Sequence, residues 1–231
     1  MRIGILQCGH VTQDIEDKVG DFDQMFRTFF ADQGFEFQTW NVVDMDFPTG
    51  PDAAEGWIVT GSKHGAYEDH AFIPPLEGLI RAIHDSDRRM IGICFGHQII
   101  AKALGGHVEK VAKGWGLGHQ SYTDARGGTI RVNAWHQDQV VKKPAGAKVW
   151  ASNDFCENAG LLYGQRAWTL QPHPEFDPWV VQNMASTRKG TLDYPDDGMD
   201  SAHKRANDPT DRWDLARDMG AFLKGDYQVP A

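Results

Sequence analysis

Cysteine is scarce in this 231-residue chain: Cys8, Cys94 and Cys156 are an odd set with no paired spacing. That excludes a disulfide framework and fits a reducing compartment, so a cytoplasmic location is expected. Long apolar runs are lacking as well. No window approaches the length of a membrane span, and the short run at residues 3–6 has neither the basic flank nor the cleavage site of a signal peptide. Positive charge is short, with 23 Lys and Arg against 32 Asp and Glu and a net charge of −9. Neither nucleic acid nor an anionic membrane is therefore expected as a partner, since both call for a cationic footprint. Repeats, low-complexity tracts and linkers are missing, which points to one domain over 1–231 with residues 191–231 as a C-terminal extension packed on it. No Walker-type phosphate loop is found. His64, His70, His97, His107, His119 and His136 show no ligand spacing, so no metal and no cofactor are expected.

What is present is the composition of a packed protein, 41% hydrophobic and 24% charged. Short apolar runs at 3–6, 35–43, 57–59 and 90–93 alternate with helical patterns. Asp21 caps a run in which Phe22, Met25, Phe26, Phe29 and Phe30 fall on one face, and Pro74 and Pro75 open a second with Leu76, Leu79, Ile80 and Ile83. A third helix is expected over 98–104. This rhythm predicts an α/β fold, a mostly parallel, mixed sheet with helices on both faces. Shorter strands are expected at 108–111, 119–123, 129–132, 148–151 and 167–171. The polar segment 191–207 reads as a loop, and a last helix begins at Asp208-Pro209.

The sharpest local signal is Gly92-Ile93-Cys94-Phe95-Gly96-His97-Gln98. A buried strand enters, a helix leaves, and Cys94 stands between glycines at −2 and +2, the logic of a nucleophile elbow with sulfur in place of oxygen. Such a turn is tight enough to need glycine on both sides. It lifts the side chain out of the sheet, and the positive end of the following helix favours negative charge there. The Phe95 N–H faces the same space and can donate to an oxyanion.

A thiol nucleophile needs a base, and the base needs a group to orient it. His173 and Glu175, in Gln171-Pro172-His173-Pro174-Glu175, lie two residues apart at the expected end of a strand. Strand geometry would put both on one face, with the carboxylate accepting from one imidazole nitrogen.

Together these segments resemble the class I glutamine amidotransferases. The elbow is similar to the family's G-x-C-x-G-H-Q, and 171–175 to its Q-x-H-P-E. His136-Gln137-Asp138-Gln139-Val140, with Pro144, Gly146, Ala151 and Ser152, is similar to the H-x-D-x-V…P-x-G…A-x-S stretch of GMP synthetase glutaminase domains. Val59-Thr60-Gly61-Ser62 stands where the family has a G-G-P loop. There and at Pro172 the chain departs from the usual pattern and is more similar to stand-alone members and γ-glutamyl peptidases. The resemblance implies a flavodoxin-like class I glutaminase fold with Cys94 as nucleophile, His173 as acid/base and Glu175 as its orienter. It implies Gly61 and Phe95 as oxyanion donors, and Gln98, Trp135, His136, Gln137 and Asp138 as substrate contacts.

The implied activity is hydrolysis of the γ-amide of glutamine through a γ-glutamyl thioester on Cys94, with ammonia passed to a separate synthetase or other acceptor protein. A stand-alone γ-glutamyl hydrolase acting on γ-glutamyl amines or peptides is the alternative. A silent binding subunit on the same fold is a second, and a Cys-dependent redox protein a third.

Overall fold

The computed structural model describes residues 1–191 and 194–227. Along the chain run β1 (Arg2–Leu6), α1 (Gln13–Val19), α2 (Phe22–Phe29), β2 (Glu36–Trp40), β3 (Gly56–Val59), α3 (Ile73–Asp85), β4 (Arg89–Ile93) and α4 (Phe95–Ala103). Then follow β5 (His107–Lys110), β6 (Gly116–Asp124), β7 (Thr129–His136), β8 (Asp138–Lys142), β9 (Lys148–Ser152), β10 (Gly160–Tyr163) and β11 (Ala167–Leu170). Three helices complete the order: α5 (Pro178–Arg188), α6 (Asp196–Arg205) and α7 (Arg212–Lys224).

Nine strands form one mixed sheet in the order β2-β1-β3-β4-β11-β10-β9-β6-β7, and β5 pairs with β8 in a separate ribbon. The first five strands of that order are parallel to one another. From β11 onward every pairing is antiparallel. Alternation along each parallel strand sends side chains to opposite faces. Trp57, Val59 and Met90 join Leu76, Ile80, Ile83 and Ile99 on the α3/α4 side. Ile58, Ile91 and Ile93 join Phe26, Phe29, Met219 and Phe222 on the α2/α7 side. This is the α/β sheet with helices on both faces that the sequence predicts.

The Asp21 cap forms as expected, its side chain accepting from the Phe22 N–H. Differences from the sequence reading lie in the second half. The segment 191–207 is not a loop throughout, because α6 occupies most of it. Asp196 and Asp197 open that helix and His203, Lys204 and Arg205 close it, a charge order that complements its dipole. Only Met199 and Ala202 are buried on it, too few to show a stripe in the sequence. It packs against α5 and β6. The last helix starts later than expected, at Arg212, where Asp211 accepts from Leu215 and donates to Arg131 O. α1, α5, β8 and β10 carry no strong periodicity in the sequence. α7 lies on β3 and β4, with Arg89 Nη1 donating to Phe222 O at 2.6 Å.

Candidate active site

The elbow is built and held by four neighbouring elements, β4, α4, β11 and β3. β4 ends at Ile93, α4 begins at Phe95, and Cys94 between them has φ 53° and ψ −104°. A positive φ at a non-glycine residue costs of order 1–3 kcal/mol and persists only where the surroundings impose it. They do so here. Cys94 N–H donates to Leu170 O at 2.9 Å, and Gly96 N–H donates to Thr60 O at 3.0 Å. The turn is thereby tied to the ends of β11 and β3. A Cβ on Gly96 would lie 2.1 Å from Val59 O, and one on Gly92 would lie 2.5 Å from Ile100 Cδ1. No larger residue fits either place. Phe95 opens α4, so its N–H is among the first-turn amides with no intrahelical acceptor.

Thr60 occupies the place where the resemblance leads one to expect glycine, and it shapes the loop. Its hydroxyl accepts from Cys8 N–H and donates to Gly61 O, each at 2.9 Å. Gly61 is held against the His173 ring: a Cβ there would meet His173 Cε1 at 3.0 Å.

His173 and Glu175 are not on a strand. β11 stops at Leu170, and Phe176 N–H donates back to His173 O at 3.4 Å across a turn. The turn still brings the two side chains together, with His173 Nδ1 2.7 Å from Glu175 Oε1 and both residues buried. The Cys94 side chain also interacts with the imidazole. Burial alone would strip the His173 proton, but the Glu175 carboxylate and Cys94 outweigh it and hold the pKa above the ordinary imidazole value.

Several supports of this pair carry no signal in the sequence. Asn133 O accepts from His173 N–H at 2.7 Å. Phe176 stacks on the imidazole. Arg212, from α7, donates to Pro174 O and Glu175 O, each at 3.1 Å. Its charge also acts on Glu175, whose Oε2 is buried without a hydrogen-bond partner among the described residues.

Cys94 and His173 open onto a cleft of about 560 Å³, while a cavity of about 200 Å³ elsewhere contains neither. Gln98, Trp135, His136, Gln137 and Asp138 all line the larger cleft. Gln98 gives one amide proton to Asp138 O at 3.0 Å and one to Gln171 Oε1 at 3.1 Å. Only its carbonyl oxygen is left for a ligand. His136 donates from Nδ1 to Asp138 O at 3.2 Å, which leaves Nε2 as a buried acceptor with no partner among the described residues. Burial holds its pKa down at about 4, so the ring is neutral. Burial also raises the Asp138 carboxyl, although Tyr67 donates to Oδ1 at 3.2 Å. Trp115 and Tyr194 line the cleft as well, and Trp135 Nε1 donates to Tyr194 at 3.2 Å. Trp115 packs on that tyrosine, with ring centroids 4.4 Å apart.

Cys8 and Cys156 are free and buried away from this cleft. Burial raises both thiols, that of Cys156 to about 12. The sequence shows no ligand spacing among the histidines, yet the fold draws His64 and His70 together with Glu68. Among the described residues no helix is long and apolar enough to cross a membrane.

Comparison with known proteins adds the family. The pattern described as "Glutamine amidotransferase class-I" matches residues 53–184, more than half of the chain. A glutamine amidotransferase-like protein of Schizosaccharomyces pombe is 29% identical over 242 residues, covering 96% of this chain and 98% of that protein. Gamma-glutamyl peptidase 4 of Arabidopsis thaliana is 29% identical over 203 residues, covering 75% of this chain and 81% of the relative. The crystal structure of a glutamine amidotransferase from Thermotoga maritima superposes with a TM-score of 0.78 at 22% identity, over 98% of this chain and 97% of that one. The match spans the loop after β3, the elbow and the His173 turn, and on it this chain belongs to the class I glutamine amidotransferases.

Proposed function

We propose that the chain hydrolyses γ-glutamyl amides by acyl transfer to Cys94. The observation that supports this best is the imidazole of His173, hydrogen-bonded to Glu175 and interacting with Cys94 beside a cleft that both Cys94 and His173 line. In this reading the Cys94 thiolate attacks the γ-carbonyl carbon, and the Gly61 and Phe95 N–H groups receive the developing oxyanion. His173 gives its proton to the departing nitrogen as the carbon–nitrogen bond breaks, leaving a γ-glutamyl thioester. A water molecule then gives a proton to His173 and attacks the thioester carbon, and the carbon–sulfur bond breaks. Glutamate leaves and the thiolate is restored. Glu175 keeps the ring in the tautomer and orientation that both steps need. The remaining contacts fall to Trp135, His136, Gln137, Asp138 and the carbonyl of Gln98. These steps call on no cofactor.

The cleft supports a leaving group larger than ammonia. Its volume of about 560 Å³ lies within the roughly 300–1,000 Å³ of sites for drug-sized ligands, well beyond the needs of free glutamine. Trp115, Trp135 and Tyr194 offer the departing amine or peptide an apolar wall. The reading is thus a stand-alone γ-glutamyl hydrolase. It is tested by glutamate release from glutamine, γ-glutamyl amines and γ-glutamyl peptides, with Cys94→Ala as the blank. Larger substrates should have the higher kcat/KM. Glutamine outrunning all of them would make the chain an ammonia source for a separate synthetase, and no release from any would remove the enzymatic reading.

A further inference from the structure

We propose that His64, Glu68 and His70 form a binding site for a divalent transition-metal ion of the zinc type on the wall of the cleft. The three ligand atoms lie within 4.8 Å of one another. Glu68 Oε2 is 2.7 Å from His70 Nε2 and 3.7 Å from His64 Nδ1. Donors about 2.0–2.2 Å from a tetrahedral zinc ion stand roughly 3.3 Å apart, so the two observed separations straddle the required one. Small side-chain rotations would close the site. Two imidazoles and one carboxylate are a donor set that suits zinc and its first-row neighbours and suits magnesium or calcium poorly.

The rings are held in place by packing. The His64 and His70 centroids are 4.1 Å apart, and each lies 5.9 Å from the ring of Phe72. Phe72 is buried and packs in turn on Phe95, the residue after Cys94. Two turns put positions 64, 68 and 70 on one side of the backbone: Glu68 N–H donates to Gly65 O and Ile73 N–H donates to His70 O, each at 3.0 Å. The local charges are mixed. Lys63 acts electrostatically against a cation beside His64, while Asp138 adds its field to that of Glu68. Three protein ligands leave a fourth position for water or for an anionic group of a cleft ligand. Because His64 and Glu68 line the same cleft as Cys94, an ion there would order the segment that follows Gly61. The site does not depend on the acyl-transfer reading, which has no step that needs it.

The test is metal binding by the full chain carrying Cys94→Ser, so that the elbow thiol cannot act as ligand. The metal-stripped protein is titrated with Co²⁺, followed by its visible absorption, and then with Zn²⁺ against a chromophoric chelator. One ion per chain is expected, with Zn²⁺ displacing Co²⁺. His64→Ala and His70→Ala should each weaken binding at least about tenfold with an unchanged circular dichroism spectrum. Because loss of either ring could disturb Phe72, Glu68→Gln is the second variant, of near-identical shape, and should weaken binding as well. Binding that survives the His64→Ala/His70→Ala double change, or no stoichiometric ion at all, would overturn the site.

Discussion

The imidazole of His173 lies face to face with the ring of Phe176, their centroids 4.0 Å apart and their planes 8° from parallel. Phe176 also lies near Phe22 of α2, at 6.3 Å. The histidine is thus clamped in its ring plane by packing while Glu175 fixes its tilt. Phe176→Ala should free the ring to turn. A fall in kcat of about tenfold to a hundredfold is expected with a smaller change in KM, since a displacement near 1 Å can cost that much. Steady-state kinetics on the best γ-glutamyl substrate checks this.

Glu175→Gln should lower kcat/KM by about 10²–10⁴, because an amide can settle the wrong tautomer of His173. Its pH signature is more specific. The carboxylate helps hold His173 protonated above the ordinary imidazole range. Activity that needs this proton is present below the raised pKa and lost as pH climbs through it. Removing the carboxylate should move the alkaline limb of the kcat/KM profile to lower pH. A variant with reduced rate but an unmoved limb would argue against this coupling.

Of three thiols, only Cys94 should react with a glutamine-like electrophile at neutral pH, because burial raises Cys8 and Cys156 far above it. Peptide mapping after labelling reads this directly. Cys156→Ser should keep the wild-type rate, and Cys94→Ala should abolish both labelling and glutamate release while the fold persists.

Acid should destabilise the fold through two buried neutral rings. Burial, with the field of His136, lowers the pKa of His97 to about 3, and burial lowers that of His136 to about 4. Well above pH 6.5 neither binds a proton in the folded or the unfolded chain. As the pH falls from there, the unfolded chain takes up protons that the folded chain refuses, so stability drops by about 1.4 kcal/mol per unit for each ring. Urea unfolding between about pH 6 and 5, below the pKa of an unfolded imidazole, should show this slope, and His97→Gln should reduce it by about one ring's share.

Gly61→Ala tests the loop after β3. Its Cβ would press on His173 Cε1 at 3.0 Å, so the imidazole must shift by tenths of an ångström. A loss of kcat of about tenfold or more is expected, with little change in melting temperature.

The elbow was legible because its determinants are contiguous: a strand, two obligatory glycines and a helix start within nine residues. The phenylalanine stripe of α2 was legible for the same reason, whereas the pairing of His173 with Glu175 was expected from strand alternation and is made instead by a turn. What closes the site comes from far away in the chain. Arg212 reaches back to the carbonyls of Pro174 and Glu175, and Asn133 holds the His173 amide. No local pattern records such contacts. α6 was hidden because a helix leaning on two side chains has no stripe to read. His64, Glu68 and His70 sit in a turn-rich segment whose shape is set by Phe72 and the elbow beneath it, so their spacing alone carried no meaning.

The 2.1 Å approach that a side chain at position 96 would make to Val59 O has a further meaning. It forbids any gap between the strand that leads to Gly61 and the helix that begins with Phe95. Two amides separated by more than thirty positions are locked into a single rigid body by the folding reaction itself. On the proposed reading, these two N–H groups are placed by the fold before any substrate enters the cleft.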